Sequence, residues 1–156
     1  MTHAPRSPRL RFRDAEDVVA AVRASGGRFT AARRAVLDAL FAADGPVRAE
    51  EVAGGLGGRS APIELASVYR ALEYLEGLGA VRHFHAGHGP GRYALTGGGE
   101  REYLACERCG GVLAVEAARL DAVREAIEGE FGYRARFSHF PIVGLCQGCA
   151  ASATAT

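Results

Sequence analysis

The chain has 156 residues, of which 48% are hydrophobic, and its formal net charge is +1. This composition predicts a globular protein with one good core or two small ones. No apolar run approaches the ~18 residues needed to span a bilayer, and the opening MTHAPRSPRLRFRD lacks the apolar stretch of a signal peptide. We therefore expect a cytoplasmic protein with no membrane partner.

Charge is unevenly distributed along the chain. Residues 1–34 carry eight Arg against three acidic residues, whereas residues 96–156 carry six Arg against eight acidic residues. A basic N-terminal region favours contact with a polyanion such as DNA, although it is also typical of a solvated tail.

Four helices are predicted in the N-terminal part. Residues 1–13 are rich in Pro and Arg and predict a flexible arm, and apolar spacing then predicts a helix over residues 15–24. Thr30 is placed to cap a second helix over AARRAVLDALFAA, and AEEVAGGL predicts a short third helix. Residues 54–62 predict a loop. A fourth helix over residues 63–78, capped by Gly79, follows from the spacing of Leu65, Val68, Leu72, Leu75 and Leu78.

The period of the hydrophobic pattern changes after the fourth helix. AVRHFH and RYAL alternate on either side of HAGHGPG, which predicts a two-stranded hairpin. Three short helices, a longer helix and a hairpin are the order of a winged helix-turn-helix. We therefore assign residues 14–95 to a winged-helix DNA-binding domain.

A second, small α/β domain is predicted after a Gly-rich hinge at residues 96–99, so the fold class is α+β. It covers residues 100–150, for dimerisation and zinc binding, and a disordered tail follows at 151–156. EYLAC and GVLAV predict strands, residues 117–131 a helix, and YRARFSHFPIVGL, residues 133–145, one long strand. A unit of this size is marginal alone, so we expect a metal and a dimer partner to stabilise it.

The four cysteines form two CxxC pairs, CERC at 106–109 and CQGC at 146–149. Each pair presents two thiolates from a tight turn, and two such turns complete a tetrahedral zinc site. The predicted ligands of one structural zinc per chain are Cys106, Cys109, Cys146 and Cys149. The alternative is two redox-active or merely buried cysteine pairs, since disulfides are rare in the cytoplasm.

The predicted fourth helix separates polar from apolar positions. Ser67, Tyr69 and Arg70 lie off the apolar stripe, as in a recognition helix that turns Arg and Tyr to the major groove. The alternative is an ordinary amphipathic helix with a solvated face. Predicted phosphate contacts at the start of the second helix are Arg28, Thr30 and Arg33.

The sequence resembles the ferric uptake regulator family over about residues 20–150. The similarity rests on GGRFTAARRAVLDAL, ASVYRALEYLEGLGAV, CERCGGVLAVE and GLCQGC, in that order. The resemblance implies a dimeric, metal-responsive transcription factor, usually a repressor of metal-uptake or stress genes. It also implies base or phosphate contacts for Tyr69 and Arg70, with Ser67 close by, and a structural zinc at the two CxxC pairs.

The sensing residues of that family are incomplete in this chain. Members usually bind the sensed metal through a His-rich run before the first CxxC, a carboxylate on the following helix and a His on the last strand. Here GGGEREY, residues 97–103, replaces the run, and the carboxylate corresponds to Asp121. The strand position falls on Ser138, and a shift of one residue to His139 turns the side chain to the other face unless a bulge restores it.

Three explanations of this departure stay open. First, a regulatory site for zinc, iron, manganese or nickel has moved, and its candidate ligands are His83, His85, His88, Glu102, Asp121 and His139. Against this, His83 and His85 could simply be wing residues that touch phosphate or solvent. Second, the protein has a zinc staple and no regulatory metal site. Third, oxidation of the cysteines controls it by releasing the zinc. Peroxide sensing by bound iron is the least favoured variant.

We therefore predict a homodimeric repressor that binds a double-stranded operator and takes no small organic substrate. A regulatory metal would fix the hinge so that two recognition helices reach successive major grooves. A zinc or thiol enzyme is the main alternative, but no HxE precedes the cysteines, and four thiolates leave zinc no open position for water. A zinc-stapled dimer that binds protein instead of DNA is a further alternative.

Overall fold

The computed structural model describes residues 10–85, 89–97, 101–137 and 141–153. It divides into two compact units, Met1–His83 with Gly91–Gly98 and Phe84–Pro90 with Gly99–Thr156. The first unit is a winged helix and the second a small mixed sheet with helices, which confirms the predicted α+β class. Within these described ranges, every helix is too short or too polar to cross a membrane.

The N-terminal unit consists of four helices and a hairpin. Its elements are α1 (Ala15–Ala24), α2 (Ala31–Ala42), α3 (Ala49–Ala53), a 3-10 turn (Leu56–Gly58), α4 (Leu65–Gly77), β1 (Val81–Phe84) and β2 (Arg92–Leu95). The Asp14 carboxylate accepts the Asp17 N–H and the Thr30 hydroxyl accepts the Arg33 N–H, so α1 and α2 both begin at a side-chain cap. The Thr30 cap was predicted and is confirmed.

The core of this unit lies between α2 and α4. Val36 and Leu37 from α2 are fully buried, as are Leu72 and Leu75 from α4. Val47 pairs with Tyr93 as an isolated antiparallel bridge, which fixes β2 of the wing to the segment before α3. The buried side of α4 is thus held by the core, and its opposite side is exposed.

A tight turn joins α3 to α4. Gly55 has a φ of +84°, and a side chain there would place its Cβ 2.6 Å from the Ser60 carbonyl oxygen. The Ile63 N–H donates to the Ala53 carbonyl at 3.0 Å, which holds Ile63 outside the helix. The fourth helix therefore begins at Leu65 and not at Ile63. Leu65 is exposed, so its predicted place in the buried stripe is wrong, and Ala71 is buried in its stead.

The predicted arm is wrong for residues 10–13. Phe12 is 5% exposed and its ring meets Phe41 edge-on, while the Leu10 N–H donates to the Gly79 carbonyl. Leu10 and Phe12 pack on the hydrophobic core of this unit. The arginines around them gave the segment the pattern of a basic arm. Residues 1–9 lie outside the described part of the chain.

The start of the predicted hinge also belongs to the N-terminal unit. The Thr96 hydroxyl and N–H donate to the carbonyls of Gly79 and Ala80, at 2.7 and 3.0 Å. A Cβ at Gly97 would lie 2.5 Å from the Phe12 ring. A loose hinge is therefore wrong for Thr96 and Gly97, and Gly98 and Gly99 lie outside the described residues.

The C-terminal unit is a three-stranded sheet with two helices. Its elements are β3 (Arg101–Cys106), β4 (Val112–Glu116), a 3-10 turn (Ala117–Leu120), α5 (Asp121–Phe131), β5 (Ile142–Gly144) and α6 (Gln147–Ala153). The strand order is β4-β3-β5, with β3 antiparallel to β4 and parallel to β5. Tyr103 on β3 is buried and stacks on Phe84, the last residue of β1 and the first of the Phe84–Pro90 segment that belongs to this unit, with ring centroids 4.9 Å apart.

Two predictions for this unit are corrected. The long strand over 133–145 is wrong in its described part, where residues 133–137 have no regular structure and Ile142–Gly144 are the residues that pair with β3. The disordered tail is wrong for residues 151–153, which continue helix α6 to Ala153. Residues 138–140 and 154–156 lie outside the described ranges.

Candidate functional site

The sheet brings the two CxxC pairs together. Because β5 runs parallel to β3, with Cys106 opposite Gly144, both strands end at the same edge. CERC follows directly from β3, and CQGC leads from β5 into α6. The Arg108 side chain donates to the Cys149 carbonyl at 3.0 Å, which ties the first turn to the second.

The four sulfur atoms form a compact cluster. The Sγ atoms of Cys106, Cys109, Cys146 and Cys149 all lie within 4.8 Å of one another, and those of Cys109 and Cys146 are 4.0 Å apart. Zinc–thiolate bonds of ~2.3 Å place sulfurs roughly 3.8 Å apart around a tetrahedral ion. The donor set and its spacing thus fit a tetrathiolate metal site.

Backbone amides prepare one of these thiols to ionise. The N–H groups of Cys109 and Cys146 point at the Cys106 sulfur and lower its pKa to about 6. Hydrogen bonding to Cys146 and partial burial raise the pKa of Cys149 to about 12. A cation centred on the cluster would remove this disparity, because thiolates bind metal in the deprotonated form.

Helix α4 presents a polar side to the outside of the N-terminal unit. Tyr69 is 43% exposed and Arg70 is exposed, one turn after the helix begins. Arg70 donates to the Ser67 hydroxyl at 3.1 Å, and Ser67 donates to the Glu64 carboxylate at 3.3 Å. The three residues predicted for DNA reading therefore lie on adjoining positions of one helix end.

Tyr69 is held by a residue that the sequence reading did not include. Its hydroxyl donates to Glu50 Oε1 on α3 at 2.8 Å. Glu50's own backbone N–H and the Tyr69 hydroxyl lower the pKa of Glu50, and the same hydrogen bond raises the pKa of Tyr69. The contact joins α3 to α4 across 19 residues, so no local pattern could indicate it.

The three predicted phosphate-binding residues have different surroundings. Thr30 is occupied as the α2 cap, and the Arg33 guanidinium lies 3.4 Å over the Tyr74 ring of α4 while donating to the Arg28 carbonyl. The Arg28 side chain is exposed. Arg33 therefore fixes the start of α2 against α4, and Arg28 is the more accessible cation.

The candidate regulatory ligands do not form a second metal cluster within the described part of the chain. There, the four cysteines are the only group of three or more potential ligands close enough to share an ion. His83 stacks on Tyr93, with ring centroids 4.6 Å apart, and His85 Nδ1 lies 3.5 Å from the Gly89 carbonyl. His88 and His139 lie outside the described residues.

The two carboxylates among those candidates meet an arginine. Glu102 on β3 is 5% exposed, and its Oε1 lies 3.3 Å from Arg124 on α5. Asp121, at the start of α5, lies 2.9 Å from the same guanidinium. The spacing of Asp121 and Arg124 could have indicated their pair, but the contact with Glu102 depends on how α5 packs on β3.

Comparison with known proteins agrees with this architecture. Residues 24–139 match the model of the Ferric uptake regulator family. The chain belongs to the ferric uptake regulator family. Members of this family are DNA-binding transcription regulators, so the resemblance seen in the sequence is confirmed and the enzyme alternative is excluded.

Individual family members align along most of the chain. The ferric uptake regulation protein of Neisseria meningitidis is 30% identical over 135 residues, covering 85% of this chain and 93% of that protein. The solved structure of the Helicobacter pylori ferric uptake regulator superposes with a TM-score of 0.67 at 16% identity, covering 86% and 90% of the two chains. A zinc uptake regulator complexed with zinc and DNA superposes at 0.53 and 22% identity, covering 89% and 94%. The two structures establish the fold.

Proposed function

We propose that this regulator is a homodimeric repressor that binds a double-stranded DNA operator through α4. The observation that carries the proposal is the division of that helix into a buried and an exposed side. Val68, Leu72 and Leu75 fix it to the core, while Tyr69 and Arg70 project outward from its first turns. Arg offers bidentate donors to guanine or phosphate, and Tyr offers a ring for a thymine methyl group.

The start of α2 supplies contacts to the DNA backbone. Arg28 is exposed and free of the stack that engages Arg33 on Tyr74. A cation beside a helix N-terminus is suited to phosphate, which positions a protein on DNA without reading sequence. Arg28 thus contributes to affinity, whereas Tyr69 and Arg70 contribute to specificity, with Thr30, Arg33 and Ser67 shaping the surface around them.

Zinc bound by Cys106, Cys109, Cys146 and Cys149 has a structural role in this proposal. Four protein thiolates complete the coordination of the ion and leave no position for a reacting water. The ion would join the turn after β3 to the start of α6, the two ends that the sheet brings to one edge. Its loss would remove the joint between these two ends.

The exposed apolar residues of the C-terminal unit support homodimerisation. Helix α5 has no buried residue, although Val123 and Phe131 lie on it, and Phe131 is 70% exposed. On the sheet, Leu113 and Val143 are also exposed. A symmetric partner covers such a surface with the same residues from a second copy.

Regulation by metal is the finer part of the proposal. A divalent ion bound at the regulatory site predicted from the sequence would make DNA affinity depend on that metal, and a protein with the cysteine zinc alone would not respond. The stacking of His83 on Tyr93 favours a packing role for that residue. Metal counting after mild chelation, in the wild type and in a variant with His83, His85 and His88 changed to Ala, separates the two.

DNA binding is tested with the zinc-loaded protein. In vitro selection from random duplexes yields a preferred site, and fluorescence anisotropy then compares Arg70→Ala and Tyr69→Ala with the wild type. Each substitution should cost about 1–3 kcal/mol on the selected site and less on random DNA. Arg119→Ala is the matched control, because Arg119 is an exposed arginine of the C-terminal unit. Unchanged affinity in both α4 variants would favour a protein partner.

The proposed dimer and its zinc content are tested by native mass spectrometry, which reports whether two chains carry two zinc ions.

A further inference from the structure

Glu102 is a buried acidic residue of the C-terminal unit. It is the one buried charged residue in the described ranges, and it lies near the start of β3, opposite Val115 of β4. An ionised carboxylate in such a place requires a cation or several donors close by.

Arg124 supplies that cation. Its guanidinium donates to Glu102 Oε1 at 3.3 Å, to Asp121 Oδ1 at 2.9 Å and to the Ala117 carbonyl at 2.7 Å. The Phe137 ring lies beneath it, 5.4 Å from the guanidinium carbon. One side chain therefore joins β3, the 3-10 turn, α5 and the segment after α5.

The three oxygens that hold Arg124 are of the type that hold hard divalent cations. Carboxylate and carbonyl oxygens are the preferred ligands of Mn²⁺ and Mg²⁺. The guanidinium donates to the same atoms, so a divalent ion and Arg124 compete for one place. An ion entering beside Arg124 would also meet a positive charge within a few ångströms.

We propose that Arg124 is a built-in substitute for a regulatory divalent cation at Glu102 and Asp121, and that its removal opens a divalent-metal site there. The residues present thus do not fit a metal as they stand, although both carboxylates were candidate ligands in the sequence. Arg124 holds this region of the C-terminal unit together. Because it is a side chain of the protein, its presence does not depend on metal supply.

The surroundings provide room for the exchanged ion. Both carboxylates, Arg124, Arg136 and Phe137 line a cavity of about 490 Å³. Glu102 Oε2 is buried there without a hydrogen-bond partner. Replacing Arg124 by a neutral residue would leave both oxygens of Glu102 available, together with the Asp121 carboxylate and the Ala117 carbonyl.

The test measures Mn²⁺ bound per chain by zinc-loaded protein, using equilibrium dialysis and the electron paramagnetic resonance signal of bound Mn²⁺. Mn²⁺ is chosen because it prefers oxygen ligands to the cysteine thiolates. The variants are Arg124→Met, Arg124→Met with Glu102→Gln, and Glu102→Gln alone. Arg134→Met is the matched control, because Arg134 forms an exposed ion pair with Glu128 in the same unit. Arg124→Gln serves if the Met variant does not fold, since its amide can still donate to Ala117.

We expect Glu102-dependent Mn²⁺ binding only in the variants that lack Arg124 and keep Glu102, namely Arg124→Met and Arg124→Gln. Their affinity should exceed that of the wild type and of Arg134→Met by about a hundredfold or more, given the charge removed. The proposal is overturned if the wild type binds Mn²⁺ in a way that Glu102→Gln abolishes, or if folded Arg124→Met or Arg124→Gln binds none. The test measures Mn²⁺ binding and not DNA binding, so it stands even if the proposed DNA-binding function fails.

Discussion

Removing the cysteine-bound metal should unfold the C-terminal unit and leave the winged helix folded. Few side chains of this unit are buried. The largest buried ones are Tyr103 on β3 and Leu120 in the 3-10 turn, and α5 has no buried residue. Structural zinc contributes about 10–16 kcal/mol of apparent binding free energy in small zinc-dependent modules at neutral pH. That exceeds or matches the ~5–15 kcal/mol by which a whole domain is usually stable. The N-terminal unit has its own core between α2 and α4, so the loss should stay local.

Hydrogen exchange measured by mass spectrometry resolves the two units separately. Cys109→Ser, at an exposed ligand, should accelerate exchange over β3, β4 and α5 to the rate of an unfolded chain, while α2 and α4 stay protected. Chelation of the wild type should have the same effect, and re-addition of zinc should reverse it. Glu107→Gln, inside the same CERC turn, is the control and should exchange like the wild type. Retained protection of β3 after complete zinc removal would refute the reasoning, because the sheet would then be stable on its apolar contacts alone.

Three further predictions concern the N-terminal unit. Leu75→Ala, at a fully buried position of α4, should lower the free energy of unfolding in urea by about 2–5 kcal/mol, whereas Leu65→Ala should change it by less than about 0.5 kcal/mol. Glu50→Ala frees the Tyr69 hydroxyl and removes a negative charge from the α4 side, so anisotropy should show tighter binding to random DNA and a smaller preference for the selected site. Burial raises the pKa of Glu51. The hydrogen bond that its carboxylate accepts from the Arg48 N–H at 2.7 Å and the charge of Arg48 outweigh burial, so the pKa of Glu51 is lowered overall. The stability of the wild type over Glu51→Gln should therefore be fully present above the ordinary value of 4.5 and be lost as pH falls through the lower folded-state pKa, in urea titrations at several pH values. An advantage that grows on acidification would contradict a stabilising hydrogen bond from the Arg48 N–H to the Glu51 carboxylate.

Features set by neighbouring residues were predictable from the sequence. The Thr30 cap depends on a hydroxyl three residues before the Arg33 N–H, and the two CxxC pairs depend on the spacing of four thiols. The polar side of α4 likewise follows from helical periodicity. These features need no knowledge of which distant elements pack together.

Features set by tertiary contacts were not predictable from the sequence. Helix α4 begins two residues later than predicted because Ile63 is held by the Ala53 carbonyl. Of the described residues after α5, three pair with β3, at Leu104, Ala105 and Cys106, so the strand is shorter there than the alternating pattern predicted. Phe12 lies in a segment with the composition of a basic arm, but its ring packs against Phe41 of α2. In each case the local pattern was compatible with the prediction, and a partner far along the chain decided the outcome.

The pairing of Glu102 with Arg124 changes what an experiment on metal dependence can show. The C-terminal unit has two places where positive charge holds separate segments together, a thiolate cluster suited to zinc and a carboxylate pair occupied by a guanidinium. A chelator removes the first cation and cannot remove the second, because Arg124 is part of the chain. Metal-depleted protein therefore loses the joint between β3 and α6, and with it the fold of the unit, while the cation that pairs with Glu102 and Asp121 stays on the chain. A loss of DNA binding on chelation would thus report on the cysteine site or on the histidines, and only substitution of Arg124 reaches the carboxylates.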